Sequence, residues 1–156
     1  MKIRRLTSEN YPKVSALLKQ AFPRSNYENK LVEKLHKSNK PLHEWVCIHT
    51  NRIIGYIAFS NAFDGSDICG LHLVPFAVKP EFQNQGIGSE LLRFALRNDA
   101  IKENTIFVLG NPDFCQKFGF EPCSNIASPF EEKKGHFLSI RNNPDRHFTV
   151  GYESEF

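Results

Sequence analysis

The 156-residue sequence has no run of apolar residues long enough to cross a membrane. No window approaches the ~20 consecutive apolar residues that a transmembrane helix needs. The basic start of the chain, Met1 to Arg5, has no apolar stretch behind it, so a signal peptide is not indicated. We therefore expect a protein that is neither exported nor inserted into a membrane.

The chain also lacks a dense basic segment and a metal-binding cysteine pattern. Lys and Arg number 20 against 17 Asp and Glu, a surplus too small to indicate nucleic acid or a membrane surface as a partner. The four cysteines form no Cys-x-x-Cys pair and have no histidine at zinc-site spacing. We expect reduced thiols in a cytoplasmic protein, and no bound metal.

No repeat, low-complexity tract or linker divides the sequence, and we expect one domain over residues 1–156. Apolar residues at helical spacing from Val14 to Ala21 predict a first helix, and a second is expected over residues 27–36. Both are expected to precede every strand. Residues 45–48 and 53–59 predict a hairpin, residues 68–78 a long strand with a bulge at Pro75, and residues 85–98 a third helix. Further elements are expected as strands at 105–109, 137–140 and 149–152 and as a short helix at 112–118.

Two glycines, Gly86 and Gly88, lie where the long strand ends and the third helix begins. Glycine lets backbone N–H groups approach an anion closely, and the start of a helix offers unpaired N–H groups with the positive end of the helix dipole. A tight strand-to-helix turn is the structural alternative. A dinucleotide fingerprint would need glycine at Leu91, and a P-loop would need Gly-Lys-Ser or Gly-Lys-Thr, so both nucleotide motifs are disfavoured.

The segment Gln83-x-x-Gly86-x-Gly88, preceded by Phe76-Ala77-Val78-x-Pro80-Glu81, resembles the acetyl-CoA loop of GNAT acetyltransferases. The resemblance spans nearly the whole chain. Within the family, the sequence is similar to one single-domain bacterial branch of predicted N-acetyltransferases. The further matching segments are Gly55-Tyr56-Ile57, Leu91-Leu92, Leu109-Gly110-Asn111-Pro112, Phe118-Gly119-Phe120 and the ending with Gly151-Tyr152 and Phe156.

This resemblance implies a mixed α/β fold with a central, mostly antiparallel sheet, a bulged and splayed central strand, and helices on both faces. It implies acetyl-CoA as the co-substrate, with pyrophosphate held by amides from Asn84 to Ser89 and the pantetheine arm paired with the end of the long strand. A bulge at Pro75 would open a slot for the thioester; a simple kink is the alternative. The implied cofactor-binding residues are Phe76, Ala77, Val78, Gln83, Asn84, Gln85, Gly86, Ile87, Gly88, Ser89 and Asn111.

The catalytic acid and base are less clearly marked. The family often has a tyrosine that acts as the general acid, and at that position this sequence has Cys115. Cys115 either protonates the leaving thiolate itself or only fills space, in which case water or the ammonium product protonates the thiolate. Glu28, Glu44 and His72 are candidate bases, and a chain of water molecules is an alternative to all three; a solvated charge is the structural alternative for the glutamates and a packed or surface residue for the histidine.

The resulting functional hypothesis is direct transfer of acetyl from acetyl-CoA to a primary amine of a small molecule, peptide or protein. The alternative is a non-catalytic acyl-CoA-binding or sensing module, because the usual tyrosine is missing. A third hypothesis, an interaction protein, requires the glycine loop to be only a turn. The acceptor is not encoded recognisably, and a homodimer is left open.

Overall fold

The computed structural model describes residues 1–156. The chain forms two compact units, which are described separately below. Unit 1 contains Met1–Phe59, Val74–Lys102 and Glu155, and unit 2 contains Ser60–Leu73, Glu103–Ser154 and Phe156. The single-domain prediction stays a prediction.

The chain contains four α-helices and nine β-strands. The helices are α1 (Tyr11–Ala21), α2 (Tyr27–Lys37), α3 (Ile87–Arg97) and α4 (Pro112–Cys115). The strands are β1 (Lys2–Arg5), β2 (Leu42–His49), β3 (Arg52–Asp64), β4 (Asp67–Val78), β5 (Ile106–Leu109), β6 (Glu121–Pro122), β7 (Ile126–Ala127), β8 (Phe137–Ile140) and β9 (Phe148–Thr149). Short 3-10 turns occur at Ser8–Asn10, Pro80–Phe82 and Gln116–Phe118. No helix combines the length and the apolar character that crossing a membrane requires.

Seven strands form a mixed sheet in the order β1-β2-β3-β4-β5-β8-β6, and β7 pairs separately with β9. The β1–β2, β5–β8 and β6–β8 pairs are antiparallel, whereas β4 and β5 are parallel. The parallel register joins Leu71 with Ile106 and His72 with Phe107. The predicted mixed, mostly antiparallel sheet is therefore confirmed.

Helices cover both faces of the sheet in unit 1. Val46 and Tyr56 belong to the core cluster of α1 and α2, while Cys47, the neighbour of Val46, packs with Ile87 of α3. Successive strand residues point to opposite faces, so α1 and α2 cover one face and α3 the other, as expected. The first cluster consists of Val14, Leu17, Leu18, Val32, Val46, Tyr56, Ala58 and Ala77.

Unit 2 has its own aromatic core. Phe107 of β5 and Phe137 of β8 stack with ring centroids 5.6 Å apart, and both are buried. Phe63 pairs with Gly151, which brings the C-terminal segment alongside the second half of β3. Ala62, Ile126 and Val150 complete this cluster.

One expectation about element order was wrong, because β1 precedes both helices. Its residues, Lys2–Arg5, are mostly basic and contain one apolar side chain, so no alternation marks a strand. The strand forms because its backbone pairs with β2 from Lys2↔Ile48 to Arg5↔Trp45. The third helix starts at Ile87 rather than at residue 85, because Gly86 has a left-handed φ of 80°. The Val74–Pro75 peptide is cis; the predicted bulge and splay stay predictions.

Candidate active site

The loop between β4 and α3 has a backbone that depends on two left-handed residues. Asn84 has φ 62° and Gly86 has φ 80°. Asparagine and glycine are the residues that tolerate this region best. Gly86 caps α3, and its carbonyl accepts the first helical hydrogen bond from the Glu90 amide at 3.0 Å. These two residues therefore let the loop turn between β4 and α3.

Two glutamine side chains hold this loop in place from within. Gln83 Nε2 donates to the Val78 carbonyl at 2.9 Å, and Gln85 Nε2 donates to the Glu81 carbonyl at 3.2 Å. Gln83 thereby ties the loop to the last residue of β4. The structure thus gives both glutamines a positioning role through their side chains, a role that the sequence motif did not specify.

The start of α3 presents unpaired N–H groups at an open surface. The amides of Ile87, Gly88 and Ser89 lie in the first turn, where no carbonyl of the same helix can accept from them. The four preceding loop residues, 83–86, are exposed. Together with the helix dipole, this arrangement suits a phosphate or pyrophosphate group.

The end of β4 lies directly beside this helix start. A Cβ added to Gly88 would lie 3.4 Å from Phe76 Cζ and 3.5 Å from Val78 Cγ2. Ala77, between them, is buried in the opposite core cluster with α1 and α2. The Lys79 amide donates to the Ile54 carbonyl at 2.7 Å, which fixes the strand end to β3. An extended ligand arm along Phe76 to Val78 would therefore reach the N-terminus of α3.

Asn111 and Cys115 lie in unit 2, at either end of α4. Asn111 is the helix cap: its Oδ1 accepts from the Asp113 amide at 2.8 Å, and its carbonyl accepts from the Cys115 amide at 3.0 Å. Cys115 is 6% exposed, and burial raises the pKa of its thiol. The thiol therefore stays protonated at neutral pH, and it is a weaker acid than an exposed cysteine.

The candidate base Glu44 is part of a hydrogen-bonded network in unit 1. Its Oε2 accepts from Tyr56 OH at 2.6 Å and lies 2.8 Å from His36 Nε2. Because a carboxylate only accepts, His36 carries its hydrogen on Nε2. The His36 ring stacks on Tyr11 with centroids 3.7 Å apart and planes 6° from parallel. Burial, with the Glu44 charge as a further cause, raises the pKa of Tyr56 well above its usual value.

The other two candidate bases have different surroundings. Glu28, in the first turn of α2, accepts from Ser25 Oγ at 3.2 Å in an exposed position. His72 in unit 2 is 2% exposed, its Nε2 donates to the Gly151 carbonyl at 3.0 Å, and its ring stacks on Tyr152 at 3.7 Å. Burial lowers the pKa of His72 to about 4, so the ring is neutral at physiological pH. Its contacts make it an anchor for the C-terminal segment.

Sequence reasoning found the glycine loop but missed the network around Glu44. His36 and Tyr56 lie eight and twelve residues from Glu44. His36 is on α2, Glu44 on β2 and Tyr56 on β3. No local spacing connects residues on three elements, so the only signal was the Gly55-Tyr56-Ile57 match quoted above. No group of three or more His, Cys, Asp or Glu side chains is arranged to hold a metal ion.

The fold is shared with solved acetyltransferases. A GNAT family N-acetyltransferase, YhbS from Escherichia coli, solved in complex with CoA, has 25% identity and a TM-score of 0.89, with 99% of this chain and 91% of that chain covered. A GNAT family acetyltransferase from Brucella melitensis, solved with acetyl-CoA, has 23% identity and a TM-score of 0.82, with coverage of 99% and 97%. The latter likeness establishes the fold alone.

The family model described as the acetyltransferase (GNAT) domain matches residues 40–122, which is more than half of the chain. The protein therefore belongs to the GNAT acetyltransferase family. It is 34% identical over 92 residues to the uncharacterised N-acetyltransferase YjhQ of Escherichia coli strain K12, covering 56% of this chain. The match spans about half the length of that relative, 51%.

Proposed function

We propose that this protein transfers the acetyl group of acetyl-CoA directly to a primary amine of a small molecule, peptide or protein. The observation that carries the proposal is the loop after β4, where unpaired N–H groups at the start of α3 adjoin the strand end at Phe76 to Val78. The relatives solved with CoA and acetyl-CoA support the same ligand.

In this proposal, each part of the loop has a separate task. The amides of residues 84–89 hold the pyrophosphate, and Gln83 and Gln85 keep those amides in position. The backbone from Phe76 to Val78 pairs with the pantetheine arm, and a strand amide near Phe76 donates to the carbonyl oxygen of the thioester as negative charge develops there. Asn111 is a further cofactor-binding residue in this proposal, and its Oδ1 caps α4.

The transfer itself forms a bond between the amine nitrogen and the acetyl carbon and breaks the bond between that carbon and sulfur. The proton of the amine goes to a base, for which Glu28 and Glu44 are the candidates, and the thiolate takes a proton from Cys115, from water or from the ammonium product. Glu28→Gln and Glu44→Gln are matched variants for assigning the base. The base is the glutamate whose substitution lowers turnover while leaving acetyl-CoA affinity unchanged.

A non-catalytic acyl-CoA-binding module is the second candidate, favoured by the surroundings of Cys115. The thiol replaces the usual tyrosine, and burial makes it a weak acid. Release of free CoA thiol in the presence of a panel of amines separates the two functions. Binding without release for any amine supports the module.

We also infer a cytoplasmic location, because all four cysteines are free thiols, as a reducing compartment maintains them.

Calorimetric titration with acetyl-CoA tests the ligand assignment, using Gly86→Glu and the matched control Gly65→Glu. Both glycines have positive φ, 80° and 61°, and a Cβ at either position would meet no atom within 4 Å. Both substitutions therefore introduce the same charge and comparable backbone strain. We expect the wild type and Gly65→Glu to bind and folded Gly86→Glu to lose binding, because its carboxylate repels the pyrophosphate. Equal binding by the two variants contradicts the assignment.

A further inference from the structure

A groove in unit 1 lies between α1 and α2, away from the residues of the acetyl-CoA loop. Its volume is about 720 Å³, which falls in the range of small-molecule sites of roughly 300–1,000 Å³. Tyr11 and Ser15 line it from α1, and Asn29 and His36 line it from α2. A cavity of this size fits a metabolite rather than a protein segment.

The floor of the groove is fixed by internal contacts. Ser15 Oγ donates to Asn29 Oδ1 at 2.6 Å, and Asn29 is 7% exposed. The His36 ring is stacked on Tyr11 and held through Nε2 by Glu44. Since Nε2 is engaged, Nδ1 is the ring nitrogen left to interact with a ligand. These contacts fix the side chains on the floor of the groove.

The rim of the groove carries an excess of positive charge. Lys30, Lys34 and Lys37 line it together with one acidic residue, Glu33. Lys30 and Lys34 are spaced i,i+4 and Lys34 and Lys37 i,i+3, so like charges face one another along α2. A bound anion would relieve this repulsion.

We propose that the groove between α1 and α2 is a binding site for a small organic anion bearing carboxylate or phosphate groups. The anionic groups are held by the lysines of the rim, and the body of the ligand lies on the Tyr11–His36 stack. This site is separate from the acetyl-CoA loop, and it does not depend on the function proposed above.

The test is residue-resolved NMR of the full chain, titrated with citrate as the carboxylate probe and glucose 6-phosphate as the phosphate probe. Glucose is the neutral control, and ionic strength is held constant with sodium chloride. Acetyl-CoA is present in one series to occupy its loop, and the signals of α3 residues report whether it has bound. A failure of acetyl-CoA to bind would appear there without affecting the signals of α1 and α2.

The decisive comparison uses two double variants with the same change in charge. Lys30→Gln with Lys34→Gln removes rim charges, whereas Lys13→Gln with Lys19→Gln removes exposed charges of α1 that do not line the groove. We expect saturable shifts for residues of the groove with at least one anionic probe, about tenfold weaker binding in the rim variant, and little change in the control. Shifts that fail to saturate, that glucose reproduces, or that weaken equally in both variants overturn the proposal.

Discussion

Replacing Gly88 with alanine should separate the stability of α3 from its ability to bind acetyl-CoA. Gly88 lies in the first turn of α3, and the added Cβ would be 3.4 Å from Phe76 Cζ and 3.5 Å from Val78 Cγ2. These are ordinary van der Waals distances, so the methyl group fits the free protein. Alanine also has less conformational freedom in the unfolded chain than glycine. We expect the free energy of unfolding to rise by about 0.5 kcal/mol.

The neighbouring variant Gly86→Ala should have the opposite effect on stability. Gly86 has φ 80°, which costs a residue with a Cβ about 1 kcal/mol, although nothing surrounds the added methyl group. For a chain of this size, 1 kcal/mol corresponds to a change in Tm of ~2–4 °C. Thermal unfolding without ligand should thus give a slightly raised Tm for Gly88→Ala and a Tm lowered by ~2–4 °C for Gly86→Ala.

Although Gly88→Ala should be more stable than the wild type, it should bind acetyl-CoA more weakly. Its methyl group fills the space between the start of α3 and the end of β4, where we place the junction of pantetheine and pyrophosphate. At acetyl-CoA concentrations of 100 times the wild-type Kd, the wild type gains about 2.7 kcal/mol, or ~5–11 °C in Tm. If affinity falls tenfold, the variant gains about 1.4 kcal/mol, half that shift.

Two results would refute this reasoning. If unliganded Gly88→Ala is destabilised by more than about 1 kcal/mol, the contacts of Phe76 and Val78 with the helix are tighter than described. If the variant is stable and acetyl-CoA raises its Tm as much as that of the wild type, the ligand does not pass between these two elements. Calorimetry of the same samples gives the affinities independently.

Three further predictions concern other parts of the protein. Cys115→Ala should leave acetyl-CoA affinity unchanged but lower turnover, and unchanged turnover with a true acceptor would remove Cys115 from the mechanism. The pKa of His72, lowered to about 4 from 6.5, means that the unfolded chain takes up a proton that the folded protein excludes. The contribution of His72 to the free energy of unfolding is therefore complete above pH 6.5 and falls, by up to about 3 kcal/mol, as the pH drops toward 4. Urea unfolding at pH 6.5 and at pH 4 should show this loss in the wild type but not in His72→Gln. Tyr56→Phe removes a buried donor to Glu44, and we expect urea unfolding to show a loss of about 1–2 kcal/mol; no loss would mean that water replaces the hydroxyl.

The parts of the fold that could be predicted were those with a long local pattern. The apolar spacing in Val14 to Ala21 defined α1, and two β-rich runs with turn residues between them, within residues 45–59, defined the β2–β3 hairpin. The strand β1 lacked such a pattern, because its stability comes from pairing with residues forty or more positions away. The two-residue strands β6, β7 and β9 are too short for any periodicity to show.

The candidate site divides in the same way. Gly86 and Gly88 were recognisable because backbone conformation and close approach restrict the residue at each position. The bonds of Gln83 to Val78 and of Gln85 to Glu81 were not, since a glutamine side chain can donate to many carbonyls and only the folded loop selects one. The stack of Tyr11 on His36 likewise depends on how α1 and α2 pack.

The two glutamine bonds have a consequence for the rate of ligand capture. A loop that its own side chains already hold does not have to search conformations after the ligand arrives, so its entropy of ordering is lost during folding rather than during association. Association with acetyl-CoA should then be a single step whose observed rate rises linearly with ligand concentration. In stopped-flow measurements, Gln83→Ala with Gln85→Ala should replace that line by a rate that levels off, because loop ordering becomes the slow event.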